Sequence, residues 1–136
     1  MIMSDRDEHG QAVSVFVLLI IGALIMTAGL VIDGGQKIAA ASRSEAAAAG
    51  ASRAAGNAAA TAELGGSDSV GPAVTAARLY LAGQPGVSGS VSVANGIVTV
   101  TTSASEPTIF LAILGINQVT GGGSASANIV PTGRSR

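Results

Sequence analysis

The run VSVFVLLIIGALIMTAGLVI, residues 13–32, holds no charged residue and no proline, and its reading decides the fold. At 1.5 Å of rise per residue such a helix measures about 30 Å, the hydrocarbon thickness of a bilayer. A membrane-spanning helix is expected. A cleaved signal peptide would open with net positive charge, have an apolar stretch of about 7–15 residues and end close to a small-residue cleavage site. Here Asp5, Asp7 and Glu8 outnumber Arg6, and the nearest A-x-A pattern, Ala39 to Ala41, lies beyond Asp33 and Lys37. A soluble core helix would need a thick apolar shell, which a remainder so poor in Leu, Ile and Phe does not supply.

Outward from this run the chain divides into five parts. Residues 1–12 form a polar leader too short to fold, on the cytoplasmic side, and 13–32 the transmembrane helix. Residues 33–66 form an alanine-rich helical stalk, 67–130 a small α+β domain, and 131–136 a disordered tail. The fold class is α+β. Asp33 marks the membrane exit, because a carboxylate is costly in hydrocarbon and tolerable at its edge. Gly34 and Gly35 are expected to bend or loosen the helix, which then resumes through IAAASRSEAAAAGASRAAGNAAATAEL, residues 38–64, and stops at Gly65-Gly66. That stretch has methyl groups for a seam and gains only where a partner comes very close. It reads as a stalk packing on another helix, or as an idle solvated one. Within the span, Gly22 and Gly29 share a face, and Ala23 and Thr27 make a small-residue pair beside them, so the four are candidates for helix packing in lipid. Glycine is also frequent in membrane helices generally. Ala47 and Ala54 are the stalk's candidate packing positions.

In the small domain, Pro72 suits a first helical turn and puts Val70, Val74, Ala77 and Leu81 on one face. The segments 87–94 and 97–102 alternate about Asn95-Gly96, the pairing demanded by a type I′ hairpin turn. That register sets Val93 opposite Val98 and Val91 opposite Val100. The apolar run after Pro107, TIFLAILGI, is too short for a second crossing. It reads as a short helix closing the core or lying at the membrane surface. Residues 119–130 alternate and supply a third strand, which a lone hairpin needs for stability.

Composition narrows the chemistry. There is no cysteine, and His9, the only histidine, lies in the leader, so thiolate catalysis, disulfides and a histidine-based triad or metal site are not expected in the folded part. The net charge of −1 provides no basic patch for nucleic acid. Residues 29–37 resemble a phosphate-binding loop loosely, but lack its Gly-Lys-Ser/Thr ending and begin inside the span. The acids Asp33, Glu45, Glu63, Asp68 and Glu106 form no pair at helical spacing. The reading is of a protein that is not an enzyme, with no cofactor, no metal and no small-molecule substrate.

Asp7-Glu8-His9-Gly10-Gln11-Ala-Val-Ser-Val-Phe, the long apolar run, Val31-Ile32-Asp33-Gly34-Gly35-Gln36-Lys37, Arg43-Ser-Glu-Ala-Ala-Ala-Ala-Gly-Ala and Arg53-Ala-Ala-Gly together resemble the start of TadE/TadG-like proteins. Val98-Thr-Val-Thr-Thr, residues 110–115 and Ser124-Ala-Ser-Ala resemble the outer part of that family's short actinobacterial-type members. The resemblance implies a pilin-like accessory or minor pilin of the tight-adherence (Flp) pilus, anchored once in the bacterial cytoplasmic membrane with its C-terminal part outside. Its partners would be membrane lipid and other pilin-like or Tad-apparatus proteins. By the same resemblance Gly10 precedes the cut of a prepilin peptidase and Gln11 becomes the new terminus. Val15 stands where pilins and the TadE type carry a glutamate, which the TadG type often lacks. Lys37 and Arg43 after the span, against Arg6 before it, favour the opposite orientation by charge alone. The alternative function is a membrane-tethered extracytoplasmic binding or regulatory module unrelated to pili.

Overall fold

The computed structural model describes residues 7–129; the expected tail and the first half of the expected leader lie outside them. One helix dominates. α1 (Asp7–Leu64) is a continuous helix of 58 residues. It is followed by α2 (Val70–Ala82), β1 (Val87–Ala94), β2 (Ile97–Pro107), a 3-10 turn (Leu111–Leu114) and β3 (Gln118–Asn128). The strands form one antiparallel sheet in the order β1-β2-β3. The α+β class follows directly.

The hairpin has the register that its turn requires. Asn95 and Gly96 have φ of 52° and 73°, both in the left-handed region, and the strands pair Val93 with Val98 and Val91 with Val100. Val98 and Val100 are completely buried, whereas Ser90, Ser92 and Thr101 on the opposite face are exposed. β3 adds to β2 from Ile97↔Asn128 to Pro107↔Gln118.

Four expectations change. Residues 7–12, expected as an unfolded leader, continue the helix, and α1 also runs unbroken through Gly34-Gly35, where loosening was expected. The alanine-rich stretch is not a stalk standing apart from the small domain. Ala47, Ala48, Ala51, Ala55 and Ala59 are buried against Val98, Val100, Ile129 and the α2 residues Ala73, Ala77 and Leu81, so this half of α1 is the spine of the domain core. The buried face of α2 is therefore Ala73-Ala77-Leu81, while Val70, placed on that face by the sequence pattern, is exposed.

Glycine on the opposing surfaces makes this packing possible. A Cβ on Gly123 would come within 2.5 Å of the Glu45 nitrogen, and one on Gly121 would overlap the backbone of Ala40 and Ala41. β3 thus lies directly on the helix backbone. A Cβ on Gly50 would likewise strike the Tyr80 ring of α2. Two hydroxyls fasten the layers: Ser44 Oγ donates to the Gly121 carbonyl at 2.8 Å, and Thr102 Oγ1 donates to the Ser44 carbonyl at 2.7 Å. Ser69 Oγ donates to the Ile129 carbonyl at 3.2 Å and ties the start of α2 to the end of the sheet.

The other half of α1 projects from this domain. Of residues 13–32 only Gly29 is buried; Leu18, Leu19, Leu24, Met26, Leu30 and Val31 are exposed around the whole circumference. α1 is long and apolar enough to cross a membrane. Residues 13–32 are not part of a globular core, because the described residues of the chain do not cover them.

Candidate functional site

The most specific constellation lies where the bare and embedded halves of α1 meet. Asp33 is the first charged residue after the apolar run, yet it is only 1% exposed. A carboxylate taken out of water needs donors, and this one has three from the backbone of a single loop. The Ile109 N–H donates to Oδ1 at 2.8 Å, while Phe110 N–H and Leu111 N–H donate to Oδ2 at 3.0 and 2.6 Å. These amides open the 3-10 turn, whose first N–H groups have no partner within the turn. Asp33 therefore caps this turn from a distant part of the chain. Burial would raise its pKa, but the amides of Ile109, Leu111 and Phe110 lower it by more, holding the carboxyl below its ordinary value.

The loop of residues 108–117 joins β2 to β3 and is closed on itself. Thr108 N–H donates to the Asn117 carbonyl at 3.1 Å, and the Thr108 hydroxyl donates to the Ile116 carbonyl. Gly115, at φ 86°, reverses the chain so that its N–H meets the Ala112 carbonyl and the Ile116 N–H meets that of Leu111. Phe110 then rests on Gly29, one helical turn before Asp33. A Cβ there would fall 2.8 Å from Phe110 Cβ and closer still to the ring. Glycine at 29 and aspartate at 33 thus form a seat and a latch on one helix face.

This geometry corrects the reading of the apolar segment as a core-closing helix. No residue of the 3-10 turn is buried; Ile113 is 82% and Leu114 77% exposed. The core is already filled by Ala, Val, Leu81 and Ile129, and the closed loop seats Phe110 on Gly29 while leaving Ile109, Ile113, Leu114 and Ile116 exposed. Above the latch, Arg43 Nη1 meets Glu106 Oε1 at 2.6 Å, pinning the end of β2 to α1.

The sequence-derived candidates separate into two sets. Gly22, Ala23 and Thr27 are exposed, and Thr27 Oγ1 donates only to the Ala23 carbonyl at 2.8 Å, so this small-residue face is uncovered. Gly29 and Ala47, expected to receive another helix, are occupied from within the chain, by Phe110 and by the domain core respectively. Ala54 is half-buried. Gly10 and Gln11 lie exposed within α1, with nothing within 4 Å of a Cβ built on Gly10, and Asn95 and Gly96 make the hairpin turn. A shallow, open depression lined by Gln11, Ala12, Val15, Phe16 and Leu19 runs along one face of α1. Among the described residues, no three of His, Cys, Asp and Glu come together as a metal site would require.

Sequence reasoning identified Asp33 only as a membrane-exit marker. Its partners are backbone amides more than seventy residues later, and backbone donors leave no trace in side-chain chemistry. The available signal was an isolated acid immediately after an apolar helix combined with a later apolar loop free of charge. Comparison with protein-family models, with curated proteins and with solved structures finds no match to this chain.

Proposed function

We propose that the chain is a single-pass membrane protein of pilin-like design, with residues 13–32 in the bacterial cytoplasmic membrane and the packed domain on the outer side. In this reading it is a non-catalytic accessory or minor-pilin-like component of a tight-adherence (Flp) pilus or a related secretion apparatus. The supporting observation is one unbroken helix whose first half is bare and apolar and whose second half is the spine of a small α+β domain. The resemblance of residues 7–56 to the TadE/TadG-like start supplies the assignment to that apparatus. Gly22, Ala23 and Thr27, left uncovered by the fold, are then the surface on which a neighbouring pilin-like helix packs in lipid.

The absence of native cysteine makes the test direct. In cells assembling such pili, Gly22→Cys and Thr27→Cys variants are expected to cross-link within the membrane to other pilin-like helices, whereas Met26→Cys serves as an apolar control. Uniform failure of the first two to cross-link would overturn the pilus reading. The mass of the N-terminal peptide from purified membranes separates two forms of the role. A start at Gln11 means prepilin-type processing, and an unprocessed start means a permanently anchored accessory protein. A start at Ser42 would remove the span and the proposal with it.

A further inference from the structure

We infer that the loop of residues 108–117 is a second membrane contact, lying in the lipid interface beside the span with Ile113 and Leu114 directed into the acyl region. The inference rests on residues 13–32 crossing a bilayer, and its occupant is lipid.

Three independent features of the loop fit that solvent. The first is chemical: the loop carries no charged residue, and Ile109, Ile113, Leu114 and Ile116 are all exposed. Four large aliphatic side chains on one short loop form the kind of patch that water penalises and a bilayer interface accepts. The second is the state of the backbone. Apolar surroundings require each peptide N–H to find a partner within the protein. Seven of the ten N–H groups of residues 108–117 do so, those of Thr108, Ile109, Phe110, Leu111, Ile113, Gly115 and Ile116, three of them through Asp33. The third is depth. Phe110 contacts Gly29, which lies inside the apolar run, so the latch holds the loop level with the last turn of the span rather than above it. The exposed apolar surface of the loop is therefore continuous with that of the bare helix.

A lipid-seated loop also accounts for the form of the latch. An aspartate at the edge of hydrocarbon is tolerated only if it is paired or solvated, and here its three donors belong to the segment that enters the interface. The two contacts, span and loop, together fix both the height of the domain and its rotation about the α1 axis.

The test uses the full chain reconstituted in phosphatidylcholine–phosphatidylglycerol vesicles at high lipid-to-protein ratio. Single cysteines replace Ile113, Leu114, Leu24 or Thr99, each bearing an environment-sensitive fluorophore. Labels on Ile113→Cys and Leu114→Cys are expected to lose quenching by aqueous iodide and to be quenched by nitroxides attached shallowly to lipid. The Leu24→Cys label should respond to deep nitroxides, and the Thr99→Cys label to iodide. Iodide access at positions 113 and 114 equal to that at 99, with position 24 still in lipid, would overturn the loop contact while leaving the span intact. Iodide access at position 24 would overturn the span itself. Shielding at 113 and 114 that vanishes on further dilution in lipid would mean that a second copy covers the loop, which also overturns the inference. Ile113, Leu114 and Leu24 are exposed, and Thr99 lies half-buried on the sheet between the core residues Val98 and Val100, outside the core cluster, so the substitutions leave the core unchanged.

Discussion

The two halves of α1 are both apolar and both helical, yet they meet their surroundings in opposite ways. Residues 13–32 carry Leu, Ile, Val, Met and Phe and are bare except at Gly29, whereas in residues 40–59 one face of Ala, Gly and Ser is buried and Arg43, Glu45 and Arg53 stand on the other. Hydrophobicity alone would have predicted the reverse. The difference shows that burial within this chain is decided by distance of approach. Large side chains hold a neighbouring backbone away, while a methyl-sized face lets β3 lie on the helix through Gly121 and Gly123. Area buried per residue is small, so close contact between backbones has to contribute dispersion and hydrogen bonds in its place.

Breaking the close approach should have the largest effect. Gly121→Ala places a methyl group into the backbone of Ala40 and Ala41, which no rotamer change relieves. A loss of about 3 kcal/mol, the upper end of ordinary overpacking costs, is expected in urea unfolding followed by circular dichroism in detergent. Ala47→Leu should act similarly, by disrupting the domain itself rather than a partner's contact, because Ala47 is a core residue. In the bare half, Leu19→Ala should change domain stability by less than about 0.5 kcal/mol in the same measurement.

Substitutions at the junction sharpen the contrast. Gly29→Ala forces Phe110 from its seat and is expected to free the loop at a local cost of about 1–3 kcal/mol, with the sheet intact. Hydrogen exchange should then accelerate in residues 108–117 and not in β2. Asp33→Ala removes three charge-assisted acceptor contacts, so the amides of Ile109, Phe110 and Leu111 should exchange at least about tenfold faster. The same protection depends on pH in a definite sense. The folded carboxyl is held below its ordinary value, so the latch contributes fully above about pH 4, the unfolded carboxylate range. It is lost as pH falls through the depressed folded value. Loss of protection beginning near neutrality would contradict a charged latch.

The smallest effect is expected for Arg43→Ala. The arginine side chain is half exposed, and ion pairs in such positions contribute up to about 1 kcal/mol. Its removal should loosen the end of β2 and little else.

The hairpin was legible because its information is local: Asn95-Gly96 and the alternation around it specify turn, register and inner face together. The third strand was legible for the same reason, and its described course is Gln118–Asn128. The relation of the alanine-rich helix to the sheet was not. Ala40, Ser44 and Ala48 become a packing face only when glycines eighty residues away leave room for them, a property of two surfaces jointly. Among the candidate site residues, the uncovered set Gly22, Ala23 and Thr27 and the internally used Gly29 have the same small-residue signature. Phe110, distant in sequence, is what separates them.

The unbroken course of α1 has a mechanical consequence. A domain joined by a flexible linker would be indifferent to the angle of its anchor, but here anchor and spine share one rod. From Asp33 to Leu64 the rod extends roughly 45 Å, so a tilt of about 20°, ordinary for a membrane helix, would sweep its far end sideways by about 15 Å. With residues 13–32 in a bilayer, small changes in helix tilt would therefore be amplified into displacements of α2 and the hairpin turn.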